Sequence, residues 1–338
     1  MPGTAIATWF VADTPEEGTF FPQLGTTSDA AEAQAAYWRC MTCFFASSLA
    51  VNPGARHIAY TNTIVPRVDG IDLAALFESW GVEVETLPIG WRLPRGAVSS
   101  WGNQFYVFDV IRHFVQSRPA ERLVLLDSDC LWLRSAGAIE SAIDQHGALT
   151  YLLDDDEYPA GIAINGLSRE AMARFLEANG GTSFPDIAYF GGEIYAANLA
   201  TSAQVLAVAE QLWPLVQAGA PHAPREEAHL LSVIYAQLGI AAGTADPFIR
   251  RMWTTFGHHN LQASDRDLAI WHLPAEKRTG FRDLFKQITQ SPDKPPALNR
   301  DAMGLTFAAL GRHMGYPRRR PAKLARDLSL KVAEKLGL

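Results

Sequence analysis

The sequence predicts an α/β fold in which a mostly parallel central sheet is flanked by helices. Apolar segments that fit buried strands alternate with longer helical segments along the first half of the chain. Some of these strand segments, such as Leu123–Leu126, are apolar at every residue, which is the pattern of strands covered on both faces. Alternation of such strands with helices is typical of parallel sheets with helical crossovers.

In the first half, each expected element follows from an apolar pattern and from the residues that end it. The expected strands are Ala5–Val11, His57–Asn62, Val82–Leu87 and Leu123–Leu126, and the expected helices are Ala30–Ala50, Ile71–Trp80 and Asn103–Val115. Gly81 separates the second helix from the third strand, as glycine commonly does after a helix.

The second half is more mixed. The expected strands are Leu149–Leu153, Gly161–Ile164, Ile187–Ala197 and Leu268–Leu273, and the expected helices are Ser168–Ala178, Ala200–Ala218 and Glu226–Leu238. Two glycines, Gly191 and Gly192, interrupt the third of these strands. No internal repeat or low-complexity segment is visible.

The C-terminal tail differs from the rest of the chain in charge. From Arg312 onward it holds eight Lys or Arg residues and two Asp or Glu residues, whereas the whole chain carries a formal charge of −7. Leu324, Leu328, Val332 and Leu336 recur every four residues, which predicts an amphipathic basic helix. Such a helix fits an anionic membrane surface, and it equally fits packing against an acidic protein body.

Composition excludes several classes of protein. The 338 residues are 48% hydrophobic, which is ample for a substantial core, and the negative net charge argues against a general nucleic-acid binder. We expect no signal peptide and no spanning helix, and three cysteines cannot build a disulfide framework. We therefore expect a cytoplasmic protein, with Cys40 and Cys43 as core residues of a buried helix rather than a redox or metal pair.

Two aspartates, Asp127 and Asp129, follow the apolar strand that ends at Leu126. Ligands of parallel sheets bind beyond the carboxyl ends of the strands, and residues two apart in an extended segment point the same way. Two carboxylates on one side would suit Mn²⁺ or Mg²⁺. His272 ends another expected strand and could add an imidazole ligand, although a solvated acidic strand end and a core histidine are the plainer readings.

The segment VLLDSDCLW resembles the strand–DxD–strand element of the GT-A glycosyltransferases, which use nucleotide sugars. Four further segments occur in the order that the retaining branch with glycogenin-like enzymes and bacterial lipooligosaccharide galactosyltransferases would have them. They are ATWFVADT (7–14), NQFYVFDVIRHF (103–114), YFGGEIYAANL (189–199) and WHLPAEKRTGF (271–281). This chain has Gly191-Gly192-Glu193 where that family has an asparagine or aspartate before glycine, and Asn103-Gln104 where it has a basic residue.

The resemblance implies a GT-A-like, Rossmann-type domain and a set of site residues. Residues 1–165 would form its nucleotide-sugar-binding half and residues 166–310 its acceptor-binding half, followed by the basic amphipathic tail at 311–338. Asp127, Asp129 and His272 would hold the metal, Mn²⁺ or Mg²⁺. The donor, with a UDP-sugar favoured, would contact Asp13, Asn103, Gln104, Asp127 and Lys277. The acceptor would be a glycan, a lipid-linked molecule or a small molecule.

Glycosyl transfer passes through an oxocarbenium-like state, and acidic side chains commonly assist it. Glu193 follows two glycines that allow close approach to a ligand, and Glu226 and Glu227 open a helix whose N-terminus attracts anions. A solvated strand residue and ordinary helix N-terminal charge are the alternatives for these three. The resemblance favours retention of the anomeric configuration.

Two rival functions remain open from the sequence. A haloacid-dehalogenase-like phosphatase also places Asp-x-Asp after an apolar strand, with Asp127 as nucleophile and Asp129 as acid. However, Leu153, which precedes the next acidic run, follows Asp129 by only 24 residues, too few for the units that such a fold needs between them. The other rival is a non-catalytic nucleotide-sugar-binding protein.

Overall fold

The computed structural model describes residues 3–21, 23–94, 96–97, 102–153, 158–255, 258–290 and 305–317, together with six single positions between 321 and 332. The strands are β1 (Thr4–Phe10), β2 (Phe20–Phe21), β3 (Thr26–Thr27), β4 (Arg56–Thr61), β5 (Arg67–Val68), β6 (Ile71–Asp72), β7 (Glu83–Thr86), β8 (Arg122–Leu126), β9 (Cys130–Trp132), β10 (Ala148–Leu149), β11 (Ile194–Asn198), β12 (Ile249–Arg251) and β13 (Ile270–His272). The helices are α1 (Ala31–Val51), α2 (Leu73–Trp80), α3 (Tyr106–Ser117), α4 (Gly137–His146), α5 (Arg169–Ala178), α6 (Leu199–Gln217), α7 (Glu227–Leu238), α8 (Gly280–Thr289) and α9 (Phe307–Met314).

The central sheet has six strands in the order β10-β11-β8-β1-β4-β7. Strands β8, β1, β4 and β7 are parallel to one another, whereas β11 runs antiparallel to β8. The predicted α/β class with a mostly parallel sheet is therefore confirmed. The chain passes from β1 to β4 and β7 on one side and then returns to β8 on the other, so β1 lies at the point where the strand order reverses. Ligand crevices of open α/β sheets form beyond the carboxyl ends of the strands at such a point.

The central strands are buried because helices cover both faces of the sheet. Ala5, Ile6 and Ala7 of β1 and all of Leu123–Leu126 of β8 are almost fully shielded from solvent. The long helix α1 packs against β1, β9 and α8 and is buried around most of its circumference, which explains its apolar sequence. Cys40 and Cys43 lie in this buried stretch as free thiols, so their interpretation as core residues is confirmed.

A second, three-stranded sheet with the order β12-β13-β9 brings the end of the chain back to the Asp-x-Asp segment. Strand β9 starts directly after Asp129 and pairs antiparallel with β13, so that Cys130 faces His272. Strand β12 pairs parallel with β13 on its other side and places Arg251 opposite His272. This small sheet therefore fixes His272 beside the two aspartates.

Several predicted boundaries are wrong, mainly in the second half. Residues 161–163 form turns and bends instead of a strand, and Ile164 makes only an isolated bridge to Leu167. The strand expected over 187–197 begins only at Ile194, because Gly192 and Glu193 form a turn. The strand expected over 149–153 is limited to Ala148–Leu149. Helices α4, α8 and α9 are additional to the predicted elements.

Some expectations fall outside the described residues. These are the acidic run Asp154–Asp156 and most of the basic tail, so the amphipathic helix at the C terminus stays a prediction. Among the described residues, the helices are all too short or too polar to cross a lipid bilayer.

His57 on β4 gives a pH-dependent test of the core. It is buried, and its Nε2 lies 2.8 Å from the Ser48 hydroxyl on α1. Burial lowers the pKa of His57 to about 4, below its ordinary value. The unfolded chain therefore takes up a proton more readily than the folded protein, and stability is lost as the pH falls from about 6.5 towards 4.

We expect the folded protein to lose about 2 kcal/mol of stability at this residue between about pH 7 and pH 5. Urea unfolding of the wild type and of His57→Gln at both pH values measures this loss, because the glutamine does not titrate. An equal pH dependence in the two proteins would contradict the assignment.

Candidate functional site

A cavity of about 430 Å³ opens at the carboxyl ends of β1 and β8. Its walls come from the turn after β1, α1, the turn before α3, the Asp-x-Asp turn, the glycine turn before β11, the start of α7 and the small sheet. All the site residues expected from the sequence line it: Asp13, Asn103, Gln104, Asp127, Asp129, Glu193, Glu226, Glu227, His272 and Lys277. The structure thus gathers into one cavity residues that span most of the chain.

Asp127, Asp129 and His272 form a compact group at the base of the cavity. His272 Nε2 lies 3.4 Å from Asp129 Oδ2 and 3.7 Å from Asp127 Oδ2. One potential ligand atom from each residue lies within 4.8 Å of the other two. Asp129 is only 1% exposed, whereas 35% of the Asp127 side chain is exposed. Two carboxylates and an imidazole fit a divalent cation such as Mn²⁺ or Mg²⁺, with Asp127 on the open side.

The two aspartates converge because of a turn. The backbone N–H of Asp127 donates to the Glu193 carbonyl at 3.1 Å and continues the β8–β11 pairing, and the Cys130 N–H then donates to the Asp127 carbonyl at 3.2 Å. Ser128 and Asp129 form the turn between these bonds. The two carboxylates therefore converge as expected, but the cause is different. They are brought together by a turn and not by an extended segment with both side chains on one face.

Charged neighbours give the two aspartates different acidities. Burial alone would raise the pKa of Asp129, but the charges of Lys277 and His272 hold this pKa well below its ordinary value. Lys277 Nζ is in direct contact with Asp129 Oδ2. Desolvation and the Asp129 charge raise the pKa of Asp127 to about 6. Burial would lower the pKa of His272, but Asp129 and Glu193 raise it to about 9.

Glu193 lies behind His272, away from the two aspartates. Arg251 Nε and Nη2 donate to its two carboxylate oxygens at 2.8 and 2.7 Å. Burial would raise the pKa of Glu193, but Arg251 and His272 lower it to about 2. The carboxylate is therefore a buried, ion-paired group rather than the solvated strand residue that was one reading of the sequence.

Asp13 orders the loop that follows β1. Its side chain is buried and accepts hydrogen bonds from Asn103 Nδ2 at 2.5 Å and from the Ser28 hydroxyl, while Gln34 Nε2 donates to its backbone carbonyl at 3.1 Å. Burial raises the pKa of Asp13. Asn103 and Gln104 precede α3 in a turn, so they present polar groups at the cavity wall rather than on a helix face.

The adjacent acids Glu226 and Glu227 differ sharply in their contacts. Glu226 precedes α7, and its carboxylate accepts hydrogen bonds from the Tyr189 hydroxyl and from Asn165 Nδ2, the latter at 2.6 Å. Glu227 is 8% exposed, and its Oε2 has no hydrogen-bond partner. Burial and the Glu226 charge raise the pKa of Glu227 well above its ordinary value. Glu227 is thus a carboxyl that binds its proton more tightly than an ordinary glutamate, and its Oε2 has no hydrogen-bond partner among the described residues.

Sequence reasoning missed several residues of this cavity. Arg251, Tyr189, Asn165 and Tyr37 line it, and Gln23 contributes a buried Oε1 that has no hydrogen-bond partner. Arg251 lies in a three-residue strand, and its partner Glu193 is 58 residues away in the sequence, so no local pattern marks it. The Tyr37 ring lies on α1 with its centroid 5.3 Å from Lys277 Nζ.

The sequence matches no known protein-family model, and no curated protein is significantly similar to it. The resemblance to GT-A glycosyltransferases therefore depends on the order of the motifs along the chain.

Removal of the Asp129 carboxylate should abolish binding of a divalent cation. We expect Asp129→Asn to weaken Mn²⁺ binding by more than about 100-fold, since even partners behind the ligands are worth about 10- to 100-fold. Titration of the nucleotide-free protein with Mn²⁺, followed by electron paramagnetic resonance, measures the affinity. Asp267→Asn is the matched control, because Asp267 forms an exposed ion pair with Arg134 at 3.2 Å. Equal affinity in Asp129→Asn and Asp267→Asn would contradict the site.

Proposed function

We propose that this chain is a metal-dependent glycosyltransferase that moves a sugar from a nucleoside diphosphate sugar to an acceptor. The observation that carries the proposal is the position of the Asp127, Asp129 and His272 group. It lies at the carboxyl end of β8, in the same cavity as Asp13 at the end of β1 and the acids that open α7. A nucleotide spanning from Asp13 to the metal ligands would place its sugar near Glu226 and Glu227.

Each part of the cavity has a distinct task in this proposal. Asp13, Asn103 and Gln104 would contact the nucleoside, and Lys277, next to Asp129, would contact the diphosphate. The metal, when bound, would neutralise charge on the diphosphate leaving group. Lys277 is buried and contacts Asp129, so its ammonium group is held in a fixed position. A bound diphosphate would therefore meet a second positive charge in addition to the metal.

Glu227 is the acid whose contacts best suit the sugar. Its Oε2 is buried and unpartnered, and Gly192 faces it with no side chain: a Cβ at Gly192 would overlap Glu227 Oε1. The absence of a side chain at Gly192 therefore makes room for the Glu227 carboxyl itself at the cavity wall. Glu226, held by Tyr189 and Asn165, would position the start of α7. Following the family resemblance, we propose retention of the anomeric configuration.

Donor binding should require both a metal and a nucleotide. A ligand at roughly 100-fold over its dissociation constant adds about 2.7 kcal/mol of stability. We expect a thermal shift with Mn²⁺ and one class of nucleotide sugar, most strongly a UDP-sugar, and its loss with EDTA or in Asp127→Asn. UDP-, GDP- and dTDP-sugars, each with Mn²⁺, Mg²⁺ or EDTA, form the panel. An absence of any shift across the panel would contradict the proposal.

The same panel separates the rival functions. A metal-dependent shift without sugar release or transfer to any acceptor would favour a non-catalytic nucleotide-sugar-binding protein. Release of inorganic phosphate from phosphomonoesters, which disappears in Asp127→Asn, would favour the phosphatase.

Removal of the free carboxyl should slow the reaction without weakening donor binding. We expect Glu227→Gln to lower the rate of donor hydrolysis or transfer by about 100- to 10,000-fold, the range for a positioned acid or base. The thermal shift with donor and Mn²⁺ should stay close to that of the wild type. Glu140→Gln, a substitution on α4 outside the cavity, is the control. Unchanged turnover in Glu227→Gln would exclude a catalytic role for this residue, and an inverted product anomer by NMR would overturn retention.

A further inference from the structure

The side chain of Glu193, just before β11, packs against Gly191 at the wall of the cavity. A Cβ at Gly191 would overlap the Glu193 carboxylate, so this position requires the absence of a side chain. Glu193 is consequently 1% exposed, although it lies in a turn at the cavity wall. The replacement of the family's asparagine or aspartate by Gly191-Gly192-Glu193 thus has a structural effect: it introduces a buried carboxylate at this point.

Arg251 holds that carboxylate in a fixed orientation. Its Nε and Nη2 donate to Glu193 Oε1 and Oε2 at 2.8 and 2.7 Å, which is a bidentate arrangement. The backbone of Arg251 is itself fixed, because its N–H donates to the Tyr151 hydroxyl at 3.1 Å and β12 pairs with β13. Arg251 and His272 are direct neighbours in that pairing.

The carboxylate in turn contacts His272 on the ring nitrogen that faces away from the aspartates. Glu193 Oε1 lies 3.3 Å from His272 Nδ1, while Nε2 on the opposite side of the ring faces Asp127 and Asp129. An acceptor at Nδ1 selects the tautomer with a proton there, which leaves the Nε2 lone pair available to a metal.

We propose that Glu193, held by Arg251, is a positioning residue that orients His272 as a metal ligand through Nε2. The inference rests on the metal site of the proposed function and deepens it. It also replaces the expected catalytic role of Glu193, since both of its oxygens already accept hydrogen bonds from Arg251. The Glu193 side chain is fully buried and that of Arg251 is 25% exposed; an ion pair with a buried member is a weak source of stability by itself, and orientation of His272 gives it a function.

The test measures Mn²⁺ affinity in the nucleotide-free protein and the nitrogen modulation of the bound Mn²⁺ in pulsed electron paramagnetic resonance. We expect Glu193→Gln to weaken binding by about 10-fold and to retain the modulation, since the amide oxygen still accepts from Nδ1–H. Glu193→Ala should weaken binding by about 100-fold and reduce the modulation, because the ring loses its anchor.

Glu83→Gln is the matched control and should bind Mn²⁺ as the wild type does. Arg56 donates to Glu83 in the same bidentate manner, with Nε 2.6 Å from Oε1, but this pair lies at the β7 edge of the central sheet. If Glu83→Gln weakens Mn²⁺ binding as much as Glu193→Gln does, the loss of affinity comes from losing an ion pair anywhere in the protein. That result would overturn the proposal.

Two further variants keep the outcome interpretable. Glu193→Ala leaves Arg251 without its partner, so the double variant Glu193→Ala/Arg251→Met, which removes both charges, should show the same loss of Mn²⁺ affinity in a folded protein. If His272→Ala abolishes Mn²⁺ binding while every Glu193 variant binds as the wild type, the positioning role is wrong and the metal site stands. If Asp129→Asn and His272→Ala also bind as the wild type, the metal site of the proposed function is wrong.

Discussion

The structure of the cavity depends on the burial of Asp129. A carboxylate that is 1% exposed is tolerated only with compensating charge, and Lys277 and His272 supply it from the segment that ends the small sheet. These partners come from about 140 residues further along the chain. The pairing of β9 with β13 and the packing of α8 on α1 therefore serve to bring compensating charge to Asp129.

Charge compensation continues outward from this point in alternating layers. Behind His272 lies Glu193, and behind Glu193 lies Arg251, so that acidic and basic groups follow one another from the cavity to the small sheet. Asp127 is the most exposed acid of the cavity, and Glu227 Oε2 has no hydrogen-bond partner among the described residues.

The sequence predicts much of this arrangement because the relevant signals are local. Residues 123–126 of β8 are apolar on both faces, and Asp127 and Asp129 follow them at the carboxyl edge, which led to these two aspartates, whereas Asp13 was expected from the resemblance of segment 7–14. Positions that depend on pairing distant in the chain could not be found in this way. Arg251 pairs with His272 across β12 and β13 and contacts Glu193, 58 residues away in the sequence, through its side chain. The interrupted strand before Ile194 reflects glycines required by a buried carboxylate rather than a local preference for strand.

We propose that Asp127, Asp129 and His272 together bind one divalent cation. Crystals soaked with Mn²⁺ and UDP, with anomalous diffraction data collected above the manganese absorption edge, test it most directly. We expect one anomalous peak within about 2.0–2.6 Å of an oxygen of each aspartate, the range of metal–oxygen bonds, and at a similar distance from His272 Nε2. A peak elsewhere in the cavity, or an empty triad at saturating Mn²⁺ with Lys277 still against Asp129, would contradict it.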